Sequence, residues 1–182
     1  MARKHMTKAE ILQLMNRMKT SEKSRESSSY TGMATVLNHL LWQKYAWEQE
    51  QLAEYNQKVN EYYEKYYHGK VTEEGMNQRL LDTANFDVEN LPNSVNDFSV
   101  DPKNKYLYSV AKRINEADND IYNMARLYLL IHFCVLLDMG MDISFLQKHK
   151  DEVNSKLAIS RGKIQMYHKE LIEEAGICIE VR

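Results

Sequence analysis

Residues 33–67 read MATVLNHLLWQKYAWEQEQLAEYNQKVNEYYEKYY, with neither glycine nor proline among them. Stepping from Leu41 by alternate fours and threes picks out Tyr45, Glu48, Leu52, Tyr55, Val59, Tyr62 and Tyr66. Val36, Leu37 and Leu40 extend the same seam backwards, and Glu48 alone interrupts it. A sustained 3.5-residue seam predicts one helix over about 33–67, and it demands a helical partner of comparable length. That partner follows from Leu107, through Val110, Ile114, Ala117, Ile121, Met124, Tyr128, Ile131 and Val135, and predicts a second helix over about 105–139. At 1.5 Å per residue each would span about 50 Å. Packed antiparallel, the two make the spine of an elongated, mainly α bundle. The apolar crowd from Leu127 to Leu137 predicts burial on all sides at that end.

The flanks divide the rest. Thr7-Lys8-Ala9-Glu10 has the capping-box pattern and opens a short basic helix with an apolar stripe of Ile11, Leu12, Leu14, Met15 and Met18. Residues 21–29, dominated by Ser, Glu and Lys, cannot bury apolar area and are expected to form a mobile loop. Residues 1–32 thus form a basic helix and Ser-rich loop, and 33–85 the first long helix plus a shorter one opened by Thr72-Glu-Glu-Gly75. Residues 86–104 make an acidic linker holding both prolines. Residues 105–182 supply the second long helix, helices over about 143–158 and 164–175, and a terminal strand. Asp142 is the expected cap of the first of these and Gly176 the expected stop of the second. Residues 33–182 are read as one folded unit. Apolar and polar residues alternate over 85–89, 97–101 and 177–181, the period of a strand, so a small antiparallel sheet from these three pieces is expected.

Composition narrows the function. Six glycines and two prolines in 182 residues exclude an all-β chain, which would need many more turn residues. Net charge is −2, so the molecule as a whole is not a basic nucleic-acid glove. The charge is uneven, however: residues 1–32 hold seven basic and three acidic side chains, leaving −6 for the remainder. Cys134 and Cys178 do not make a disulfide scaffold. Met1-Ala-Arg-Lys-His lacks the apolar stretch of a signal peptide, and the run at 127–137 falls far short of the roughly 20 residues a membrane span needs. The expectation is a cytoplasmic protein of a reducing compartment, with no membrane partner and its oligomeric state left open.

No catalytic constellation can be assembled. His5, His39, His68, His132, His149 and His168 are scattered, without the i, i+4 spacing of a helical zinc site, and no Cys-x-x-Cys is present. There is no Gly-x-Ser-x-Gly elbow, and Ser160-Arg-Gly-Lys163 lacks the glycines of a phosphate loop. The reading is therefore not an enzyme, with no metal and no cofactor. Three sets of surface residues remain as candidates. Asp87, Glu89, Asp97, Asp101, Glu116, Asp118 and Asp120 are dense enough to imitate a nucleic-acid backbone, although plain solvation explains them too. Tyr63 and Tyr67 are the members of two tyrosine doublets that the seam leaves facing outward, where a large ring orders at low entropic cost. Trp42 and Trp47 are assigned to the core. Arg3, Lys4, Lys8, Arg17, Lys19, Lys23 and Arg25 can track phosphates, or merely solvate an arm.

The stretch from Met6 through Tyr67 resembles a group of small proteins on Firmicute mobile elements and gut metagenomes. Some of that group are type II-A anti-CRISPR proteins, inhibitors of Cas9. The resemblance implies a non-enzymatic inhibitor that acts in the bacterial host cytoplasm. Its partner would be the Cas9–guide RNA complex, with contact to double-stranded DNA open. It supplies no catalytic residue. An acidic helical body suits the positively charged channel in which Cas9 holds nucleic acid. The alternative is a mobile-element DNA-binding regulator that works through the basic arm.

Overall fold

A computed structural model describes residues 7–9, 12, 13, 15, 16, 30–88, 105–160 and 162–179, with side-chain placement partial along 105–122. The described residues contain six helices: α1 Tyr30–Tyr45, α2 Gln49–Tyr67, α3 Glu73–Ala84, α4 Lys105–Asp138, α5 Ile143–Ile159 and α6 Ile164–Glu173. The described residues of 8–16 are helical as well.

The mainly helical reading holds, but the pair of long helices does not. The helix expected over 33–67 is two. Ala46 turns the chain with a left-handed φ of 54°, and the Trp47 amide donates to the Leu41 carbonyl at 3.3 Å. Glu48 then caps α2 reciprocally: its side chain accepts a backbone N–H of the first turn, and its own N–H donates to Gln51 Oε1 at 3.0 Å. The single polar residue in the seam is thus the helix boundary. Packing supplies the physical reason, because the bend buries Trp47 against Tyr55, with ring centroids 6.1 Å apart at 78°. Past the break the seam continues as expected, with Leu52, Tyr55, Val59 and Tyr62 buried.

The second long helix is α4. Its residues 128–136 are all buried, wrapped by α1, α2, α3 and α5. Helix α1 is enclosed in the same way over residues 32–41, with α6, α5 and α2 around it. Two segments buried on every side, rather than one two-helix seam, form the core. Trp42 is only partly buried against it. The caps follow local chemistry: Thr72 Oγ1 accepts the Gly75 amide at 3.0 Å and Asp142 Oδ1 the Phe145 amide at 2.7 Å.

Among the described residues no strand forms. Phe86 and Val88 are buried and Asn85 is exposed, so the alternation at 85–88 is a burial pattern. Helices satisfy it: Phe86 packs on Phe133 with centroids at 4.4 Å, and Lys150 Nζ donates to the Asp87 carbonyl at 2.8 Å. Likewise Ile177 and Ile179 are buried with Cys178 exposed between them. That segment is pinned by the Ile177 amide on Leu171 O at 2.9 Å and by Gln49 Nε2 on Gly176 O at 3.0 Å. Gly176 has φ +68°, and a Cβ there would meet the Gln49 side chain at 3.2 Å. Residues 97–101, 180 and 181, also expected in the sheet, lie outside the described residues, as do 17–29.

Candidate functional site

Helices enclosed on all sides carry polar residues into the core, and each needs a partner there. The first such network links four helices. The Tyr55 hydroxyl lies 2.7 Å from His132 Nδ1, His132 Nε2 is 2.8 Å from His149 Nε2, and His149 Nδ1 is 3.1 Å from the Tyr45 hydroxyl. Both imidazoles are fully buried. Facing nitrogens at this distance must be one donor and one acceptor. Two donor orders satisfy the chain: Tyr55 O–H to His132 Nδ1, His132 Nε2–H to His149 Nε2 and His149 Nδ1–H to Tyr45, or the reverse of all three. Burial pushes the His149 imidazole down to about 4. His132 is held well below its ordinary value by burial and then by the neighbouring His149. Phe145 stacks on His149 at 5.5 Å and closes the site. Two neutral, enclosed imidazoles hold the four helices together, shut off from solvent. The two histidines are nearly equidistant from the Gly140 turn between α4 and α5, the one signal by which the sequence could have paired them.

A second network joins α1, α5 and α6. His39 Nε2 meets Glu170 Oε2 at 2.6 Å, and Lys156 Nζ meets His39 Nδ1 at 2.9 Å. The Lys156 ammonium also donates to Gln43 Oε1 at 3.3 Å and sits 4.2 Å from the centroid of the Tyr167 ring. Burial lowers the Lys156 amine. It also lowers His39, against the pull of the Glu170 hydrogen bond. Carboxylate, imidazole and amine in series are the order of a nucleophile-activating triad. Here Gln43, His39 and the Tyr167 ring occupy the ammonium's directions, so the arrangement is an ion pair bridged by an imidazole. A third group, Arg79, Asp138 and Tyr62, ties α3 and α2 to the end of α4. Burial opposes ionisation of Asp138, but the hydrogen bonds from Arg79 and Tyr62 prevail and hold its carboxyl below the usual range.

The surface feature is a groove of about 1040 Å³ along α2. Tyr30, Tyr63, Tyr67 and Tyr128 line it, with Glu61 and Glu64 on the same stretch and Ile177–Ile179 along one side. Tyr30 packs edge-on against Tyr63 at 5.2 Å and Tyr128 at 5.0 Å, and its hydroxyl donates to Asn60 Oδ1 at 2.9 Å. Burial, then the nearby Tyr63, push the Tyr30 phenol up to about 12, so it remains a donor. Tyr63 is 37% exposed and Tyr67 78%.

Of the acidic set expected to act together, Glu116 is exposed on α4 and Asp87 is half-buried beyond α3. Asp118 and Asp120 belong to α4, while Glu89, Asp97 and Asp101 lie outside the described residues. Of the basic arm, Lys8 is exposed, and Arg3, Lys4, Arg17, Lys19, Lys23 and Arg25 lie outside them. Glu61 and Glu64 were not singled out in the sequence, although they flank Tyr63 on the outward face of the seam. Among the described residues no three His, Cys, Asp or Glu side chains gather as metal ligands, and no helix is long and apolar enough to cross a membrane. No family model matches the chain, and neither a curated protein nor a solved structure shows significant similarity to it.

Proposed function

We propose that the chain is a non-enzymatic inhibitor that binds guide-loaded Cas9 and blocks DNA targeting or cleavage. Its contact surface is the outward aromatic and acidic face of α2. The observation that carries the surface is the exposure of Tyr63 and Tyr67 on a helix whose opposite face is locked into the core. Exposed tyrosines on a rigid element are efficient anchors, because little side-chain entropy is lost when they are covered. The acidic groups beside them suit a partner that holds nucleic acid in a positively charged channel. The identity of that partner rests on the resemblance of residues 6–67 to Cas9 inhibitors.

The test is co-elution with guide-loaded Cas9, together with a cleavage assay. Wild-type protein should bind and suppress cleavage. Substituting Tyr63 and Tyr67 by alanine together should weaken inhibition by about tenfold or more, the range of an interface anchor. A combined charge reversal at Asp97, Asp101, Glu116 and Asp120 asks whether the acidic residues of the linker and α4 take part, and full inhibition by that variant removes them from the contact. Binding to no Cas9 ribonucleoprotein would discard the reading. Binding to duplex DNA without Cas9, lost on removal of residues 1–25 and steeply weakened by salt, would replace it with a DNA-binding regulator.

A further inference from the structure

We propose that the groove along α2 is a docking site for an extended basic protein segment, with an arginine or lysine side chain placed against the Tyr63 and Tyr67 rings and the Glu61 and Glu64 carboxylates. The proposal deepens the binding reading above by naming the chemistry that this face recognises. Tyr63 and Tyr67 are one helical turn apart on the same face of α2, and Glu64 lies three residues before Tyr67 and three after Glu61, within reach of that face. A cation there gains from the rings and from the carboxylates at once.

The balance of charge in the groove favours that occupant. Among the described residues its lining holds Glu61 and Glu64 against one lysine, Lys65, whose Nζ is already placed over the Tyr62 ring at 5.1 Å. Glu61 accepts Gln57 Nε2 at 3.0 Å and Glu64 lies 3.4 Å from His68 Nε2, contacts on the exposed surface that leave each carboxylate an oxygen for a further cation. The floor is built before anything binds, since Tyr30 is fixed between Tyr63, Tyr128 and Asn60, and Asn56 is held by a reciprocal amide pair with Asn38, both bonds at 2.9 Å. A pre-formed floor lowers the ordering cost of binding. A nucleic-acid strand would set its phosphates against two carboxylates, so a basic peptide is favoured over it.

Cys178 gives a native reporter. It lines the groove and is exposed, whereas Cys134 is buried, and burial pushes its thiol up to about 12. In the full-length protein, a maleimide should therefore modify Cys178 quickly and Cys134 slowly. A soluble Arg-Lys-Ser repeat peptide should protect Cys178 severalfold, and an Asp-Glu-Ser repeat should not. The double variant Glu61→Lys, Glu64→Lys keeps the fold, because both side chains are exposed. It should weaken peptide binding by about tenfold or more. Equal protection by the acidic peptide, protection by a single-stranded oligonucleotide instead, or undiminished protection of the double variant would overturn the proposal. So would a free chain in which Cys178 is already as slow as Cys134, because a segment of the chain or a second copy would then fill the groove. Guide-loaded Cas9 separates the two readings. Binding that leaves Cys178 reactive sinks the groove proposal alone, and peptide protection without Cas9 binding sinks the choice of partner alone.

Discussion

Ala46 holds a left-handed φ of 54°, a conformation that costs an L-residue about 1–2 kcal/mol and a glycine almost nothing. Glycine also enlarges the unfolded ensemble, which offsets about 0.5–1 kcal/mol of the relief. Ala46→Gly should therefore raise stability by roughly 0.5 kcal/mol, seen as a higher urea midpoint at unchanged m-value. A lower midpoint would show that the bend carries no strain. The second residue-scale prediction concerns His132 and His149. Both are depressed in the fold, His149 to about 4, while the unfolded chain titrates near 6.5. The unfolded state therefore binds more protons below that value. The stability these groups contribute is complete above about pH 6.5 and is lost as pH falls toward 4, at up to about 1.4 kcal/mol per pH unit for each histidine. His39, also lowered, adds in the same direction. Replacing His132 and His149 together by Gln should flatten the acid limb of a stability–pH profile. A profile as steep as wild type would assign acid sensitivity elsewhere.

The α1–α2 boundary carries the prediction at the scale of elements. A seam read as one helix treats Glu48 as a defect, so that Glu48→Leu would repair it. In the structure Glu48 caps α2 reciprocally with Gln51, so the same change should destabilise by about 1 kcal/mol. Thermal or urea unfolding decides the sign. The boundary was hidden because neither Ala46 nor Trp47 is a helix breaker. Glu48 and Gln51 do make a box, but one without the Ser or Thr that usually announces it. The starts of α3 and α5 were legible, since Thr72 and Asp142 each use chemistry that acts within a few residues, whereas α1 opens at Tyr30, ahead of the expected Thr31-Gly32, and α6 ends at Glu173, short of Gly176. Over the described residues 85–88 and 177–179 the expected strands failed for a related reason. Burial of Phe86 and Val88 needs only alternate positions facing a surface, and α4 and α5 provide that surface without a ladder.

For the whole molecule, the enclosure of residues 32–41 and 128–136 predicts where global stability resides. Their amides should exchange with solvent only through global unfolding, while those of α3 and the start of α4 should open at lower free energy. Native-state hydrogen exchange in low denaturant would show this as one slow isotherm for both enclosed segments. Separate isotherms would mean that α1 and α4 are not one cooperative core. Of the candidate site, Tyr63 and Tyr67 were legible, because a seam that buries Tyr62 must turn its neighbours away. The His132–His149 pair and the Glu170–His39–Lys156 chain were not, because each joins side chains from different helices.

Helix content, the caps at Thr72 and Asp142 and the outward tyrosines were set by the order of residues alone, since periodicity and capping depend on neighbours at most a few positions apart. The break at Ala46, the absence of strand pairing at 85–88, the two all-enclosed segments and the buried polar networks were decided by tertiary packing. Each depends on what lies across a space between helices. There the burial of Trp47, or the pairing of a histidine, outweighs the local preference that a sequence displays.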